Sequence, residues 1–173
     1  MTKPPEMRDS LWNQIAKQRL NERVLRLMAW LSDEVKPREE WGANRGAWVK
    51  KFLASVGLDM GFPWCAAALS WCVVHAGGTL PRRPASVKGW HDWAKESGRL
   101  RTAPKRGYLC YWLNPDGTGH IGAVVIAKFG LVYSLEGNTG PGEAGNQRDG
   151  DGFYRRIRKA RAWDGYISLE EDA

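Results

Sequence analysis

Along residues 9 to 36 the apolar positions Leu11, Ile15, Val24, Leu27, Met28, Leu31 and Val35 recur near helical spacing with charges between them. This pattern predicts one long amphipathic helix, docked by its apolar stripe and ended close to Pro37. Its acidic residues Glu22, Asp33 and Glu34 dilute the basic face, which argues against a membrane-surface helix. Gly42, Asn44 and Gly46 mark a turn, and Ala47 to Val56 reads as a short helix carrying Trp48, Val49, Phe52 and Leu53, with Gly57 as its cap. A third helix, Cys65 to Ala76, is apolar on nearly every side and is therefore expected to be buried, with Gly77-Gly78 stopping it. Trp90 to Glu96 has the look of a short surface helix.

After Gly107 the periodicity changes. Tyr108 to Leu113, Ile121 to Phe129, Leu131 to Glu136, Phe153 to Ile157 and Tyr166 to Leu169 are short runs rich in β-branched and aromatic residues, the signature of strands. Asn114-Pro115-Asp116-Gly117 is a turn, and Lys128 to Leu131 is tight enough to close an antiparallel hairpin. Between Thr139 and Gly152 lies a Gly- and Asp-rich stretch expected to be a mobile loop. Helices first and an antiparallel sheet second predict an α+β domain in which the buried helix packs on the sheet.

Composition narrows the function classes. The 173 residues suit one domain with a sizeable core. No apolar run approaches the roughly 20 residues that span a bilayer, so membrane insertion is not expected. The N-terminal stretch Met1 to Ser10 lacks the basic and apolar regions of a signal peptide, which predicts synthesis in the cytoplasm without classical secretion. Three cysteines, an odd number, favour reduced thiols over a disulfide framework. A net charge of +7 favours an anionic partner: nucleic acid, acidic lipid or a wall polymer.

Cys65 stands at the first turn of the apolar helix, where unpaired N–H groups favour a thiolate. A nucleophilic cysteine needs a base, and the base needs a group to hold its ring. Of the three histidines, His75 is ten residues along the same helix, about 15 Å from the thiol, and His91 falls in the surface helix. His120 remains, at a loop-to-strand junction before "HIGAVVIAKF". Glu136 and Asn138 sit two apart at the end of the next strand, so they share a face that the hairpin brings beside His120.

The segments "GFPWCAAALSWCV", "GHIGAVV" and "EGN", in that order, resemble the CHAP family of papain-like cysteine amidohydrolases and peptidases, with "ANRGAWVKKFLASVGL" similar to a lead-in helix of its phage-associated members. The resemblance runs from about Trp41 to Leu169 and implies a catalytic domain at 41–173 behind an N-terminal helical extension, 1–40. It implies cleavage of an amide bond in bacterial peptidoglycan, either between peptide residues or at the sugar-to-peptide link, by a phage lysin released to the wall or by an effector against rival cells. Cys65 would be the nucleophile, His120 the base and later the acid, and Glu136 the ring orienter, a role Asn138 could share. The segment before Cys65 lacks the acidic calcium loop of some members, so no metal or other cofactor is expected. The partner would be peptidoglycan, acted on by a monomer.

Blander readings compete. Cys72 and Cys110 suit core positions, and two helical turns separate Cys65 from Cys72 by about 10 Å, too far for one zinc ion. Trp64, beside the nucleophile, is a candidate substrate contact and equally a packing residue. Pro81-Arg82-Arg83-Pro84 reads as a turn. The run Arg155 to Arg161 is expected to be a solvated or wall-facing basic strand rather than a nucleic-acid stripe. The alternative to an enzyme is a non-catalytic module that binds the wall or nucleic acid through that basic surface.

Overall fold

A computed structural model describes residues 1–141 and 150–171. The chain has an α+β fold: helices α1 (Asp9–Ala16), α2 (Leu20–Trp30), α3 (Ala47–Ser55), α4 (Cys65–His75) and α5 (Val87–Glu96) precede strands β1 (Leu100–Arg101), β2 (Leu109–Leu113), β3 (Gly119–Lys128), β4 (Leu131–Thr139), β5 (Gly152–Lys159) and β6 (Gly165–Ile167). The described strands form one antiparallel sheet in the order β1-β6-β2-β3-β4-β5. Helix α4 lies on β3 and β4, with α2 and α3 packed around it. Part of the Gly- and Asp-rich stretch expected to be mobile, residues 142–149, lies outside the described residues.

The single helix expected over 9–36 is instead α1, α2 and a π-helical turn, Leu31–Val35. Helical phase explains the break. Nine residues separate Ile15 from Val24, which at about 100° per residue would place them on opposite sides of a continuous helix. Arg19 adopts an extended backbone, and both side chains then turn inward and are fully buried. Downstream, Lys36 leaves the helix in the left-handed region before Pro37, consistent with the bias of pre-proline residues away from the right-handed helix.

The 1–40 segment, expected to be an extension, shares the core with the remainder. Val24, Leu25, Leu27, Met28, Trp30 and Leu31 belong to the same buried cluster as Phe52, Leu69, Ile121 and Leu135. Asp33 pairs with Arg155 at 2.9 and 2.5 Å, and the N–H of Glu39 donates to the carbonyl of Asp151 at 2.8 Å. At the other end of the sheet, Phe129 and Gly130 turn the β3-β4 hairpin with φ of 52° and 73°, the positive pair that a two-residue turn matched to strand twist requires.

Burying side chains such as the five of α2 and Leu31 after it is worth about 1.5–3 kcal/mol each, so losing these six approaches the whole stability of a typical domain, about 5–15 kcal/mol. Deleting residues 1–36 is therefore expected to abolish cooperative thermal unfolding measured by circular dichroism. A truncated chain with a sharp transition near that of the full chain would contradict this packing.

Candidate active site

Helix α4 starts against the sheet because small residues let it. Ala66, Ala67 and Ala68 form its first turn, and opposite them β4 presents Gly137, where an added Cβ would meet Trp64 Cζ3 at 3.0 Å and Ala68 Cβ at 3.3 Å. Trp64 itself precedes the helix and is fully buried. Its ring stacks on Phe52 with centroids 5.7 Å apart, and its Nε1–H donates to Glu39 Oε1 at 2.9 Å. The expectation that Trp64 touches substrate is corrected: with no exposed surface, it positions the residue after it.

Asn138 is also tied to the helix start. Its backbone is in the left-handed region, φ 53°, beside an irregularity in the β4-β5 ladder between Gly137 and Thr139. With the amide oriented to satisfy both neighbours, its oxygen accepts from the Trp64 N–H at 3.2 Å and its nitrogen donates to Glu39 Oε1 at 3.3 Å. The expected share in holding the His120 ring therefore gives way to a different job: Asn138 fixes β4 to the N-terminus of α4. Glu39 completes this clamp, its second oxygen accepting from the Asn44 N–H at 2.8 Å. Nothing near Glu39 in the sequence marks it, since its partners lie up to 99 residues away.

Cys65 (6% exposed) and His120 (1% exposed) meet where the start of α4 faces the start of β3. The thiol is near enough to the imidazole to bear on its charge. Glu136, with no exposed surface, reaches the same ring from β4: its Oε2 lies 2.8 Å from His120 Nε2, which leaves Nδ1 as the nitrogen to serve the thiol. Ala123 pairs with Leu135, so Gly122 stands opposite Glu136. A Cβ at Gly122 would lie 2.8 Å from Glu136 Cγ and 2.7 Å from the Leu135 carbonyl. The glycine two residues past His120 thus leaves the passage through which the carboxylate reaches the ring.

A buried carboxylate needs compensation. Ser134 Oγ donates to Glu136 Oε1 at 2.6 Å, and Arg158 grips both oxygens, Nε to Oε1 at 2.9 Å and Nη2 to Oε2 at 2.7 Å. Arg158 is held in turn over the rings of Trp112 and Trp163, 5.1 and 5.9 Å from their centroids, and Trp112 lies against His120 at 4.8 Å. The expected solvated basic strand is corrected here. Along β5 the residues alternate, so Arg155 and Lys159 are exposed while Arg156 is buried and Arg158 is mostly covered.

These neighbours set the charges. Burial presses the His120 imidazolium down, but the neighbouring Cys65 sulfur and then the Glu136 carboxylate, which accepts from the ring, outweigh it and raise the group to about 9. For Glu136, burial pushes upward, and the bonds and charges of His120 and Arg158 overcome it, holding the carboxyl at about 2. The other thiols behave as core groups: burial pushes Cys72 and Cys110 well above the ordinary thiol range. His75 Nδ1 sits 2.6 Å from the Thr2 carbonyl, its ring against Trp71, and His91 neighbours Asp92 and Tyr111. Among the described residues no group of three or more His, Cys, Asp or Glu side chains is arranged to hold a metal ion.

Compared with known proteins, the chain matches no family model, no curated protein and no solved structure.

A group whose folded-state pKa is raised stabilises the fold below its unfolded value and stops doing so as pH rises through the folded one. For His120 that window runs from 6.5 to about 9. The melting temperature of wild type is expected to fall across it, and its advantage over His120→Ala to shrink in step; a constant difference between the two proteins from pH 6.5 to 9 would contradict the paired imidazolium. Glu136 acts oppositely, its contribution persisting above 4.5 and fading as pH falls towards about 2.

Proposed function

We propose that the chain is a cysteine hydrolase that cleaves an amide bond of bacterial peptidoglycan. The observation that carries the reading is the buried series Cys65, His120, Glu136: a thiol at a helix N-terminus, an imidazole whose charge it influences, and a carboxylate bonded to that ring's Nε2. Core packing alone gives no reason to bury an imidazole and a carboxylate together, because both must be desolvated. A nucleophile, its base and an orienting group do require that order. The wall as substrate comes from the resemblance of "GFPWCAAALSWCV", "GHIGAVV" and "EGN" to the CHAP family, whose papain-like fold is an α+β arrangement of this kind, and the net charge of +7 suits an anionic polymer.

In this mechanism His120 holds the proton taken from the thiol, and the Cys65 sulfur attacks the amide carbon. The C–N bond breaks as His120 gives its proton to the leaving amine, which leaves an acyl group on sulfur. Water, losing a proton to His120, then attacks the thioester carbon and releases the carboxylic acid and the thiolate. The backbone N–H of Cys65, at the start of α4, is a donor for the developing oxyanion. Glu136 keeps one tautomer and orientation of the ring throughout and balances the imidazolium charge.

Purified peptidoglycan incubated with the protein should release fragments bearing a new amine and a new carboxyl terminus by mass spectrometry, and these identify the bond. Cys65→Ala is expected to reduce release by at least about 10³-fold, the scale of losing a nucleophile, while wall binding persists. Equal release by both proteins would overturn the hydrolase. Iodoacetamide should modify Cys65 in the folded protein well before Cys72 and Cys110; equal labelling of the three would count against it.

A further inference from the structure

We propose that Arg158 is a positioning residue of the site: by gripping Glu136 with both arms of its guanidinium, it keeps that carboxylate ionised and aimed at His120. The inference rests on the thiol-hydrolase reading for its catalytic meaning, and on geometry for its substance.

Val132, Ser134 and Glu136 share one face of β4, and Arg158 pairs in register with Val132 on the neighbouring strand. Its side chain therefore runs back along that face, past the small Ser134, to reach Glu136. The rings of Trp112 and Trp163 wall it in, which limits its freedom to leave and shields the pair from water. From Cys65 the groups then alternate in sign through His120 and Glu136 to Arg158, a neutral set of two cations and two anions in the thiolate-imidazolium state. Trp112 contacts both ends of the cationic pair, His120 and Arg158.

The ionisable groups around Glu136 come from three strands. His120 reaches it from β3 and Arg158 from β5, both favouring the charged form. Arg156 on β5 and the buried Cys110 thiol on β2 feel the same carboxylate, and Cys65 acts on it through His120. Arg158 is the one among these that makes a two-armed bond to the carboxylate. Without it, a carboxyl with no exposed surface keeps its desolvation penalty and loses a cation in contact, so it should take up a proton at a higher pH. A protonated Glu136 holds an imidazolium poorly, and the thiol follows.

The test is the rate at which iodoacetamide alkylates Cys65 as a function of pH, measured by peptide mass spectrometry on folded wild type, Arg158→Met and Arg158→Lys. Loss of a contacting opposite charge moves a carboxylate up by about 1–3 pH units, so Glu136 of the Met variant takes up a proton earlier and the acid limb of alkylation is expected to lie at higher pH than in wild type. The Lys variant, a charge without a fork, should fall between it and wild type. Should the Met variant not fold, the Lys variant alone decides, by a smaller shift in the same direction. Acid limbs unmoved in the folded variants, even with lower melting temperatures, would reduce Arg158 to a structural ion pair and overturn the proposal. Alkylation needs no peptidoglycan, so a shifted limb in a protein that leaves the wall intact would sink the hydrolase and spare the Arg158 assignment, and cleavage with an unshifted limb would do the reverse.

Discussion

A carboxylate with no exposed surface is expensive unless its oxygens are fully engaged, and Glu136 sets terms that much of the sheet meets. Three strands supply its partners: His120 from β3, Ser134 from β4 itself and Arg158 from β5. Each must stand at one register position to reach it. Gly122, directly opposite, must have no side chain. The β3-β4-β5 ladder is thus held by its hydrogen bonds and also by one charge that would be left bare if any strand slipped.

The second requirement is that a helix end should come close to that charge. Cys65 can reach His120 because the alanines of α4 and Gly137 of β4 permit close approach, and because Asn138 and Glu39 hold the backbone and ring of Trp64 from two sides. The nucleophile is thereby set by its neighbours on both sides, with Trp64 as a rigid peg sunk between Phe52 and the sheet. Glu39 belongs to the segment that leads out of the N-terminal helices, so those helices contribute to the site through their packing as well as to the core.

Strands β2 to β6 and the helices α3 and α4 were legible from periodicity, because a period of two or of 3.6 shows in short stretches, whereas the two residues of β1 are too few to show one. The pairing of His120 with Glu136 was legible only as nearness across a tight hairpin, because the register that turns both side chains to one face depends on the irregularity in β3 between Val124 and Ile126. The break at Arg19 was also written in the sequence, in the half-turn mismatch between Ile15 and Val24, but a list of apolar positions conceals it unless their phases are compared. Trp64 and Asn138 were visible as candidates while their roles were not: an indole at a helix start looks the same whether it faces a groove or a core, and only the position of Glu39 decides. Arg158 stood in a basic run, and a count of charges does not separate the side chains that alternate inward from those that face solvent. Its role needed the register of β4 against β5, across the connection that contains residues 142–149.

The claim beneath all of this is that the Cys65 thiol and the His120 ring act as a pair. Nuclear magnetic resonance titration of the His120 imidazole in wild type and in Cys65→Ala reads that coupling directly. The account predicts a wild-type midpoint near 9 that moves down when the thiol is removed, because the thiol raises it. A midpoint at or below the ordinary 6.5, or one indifferent to the loss of the sulfur, would show that the two groups do not act as a pair.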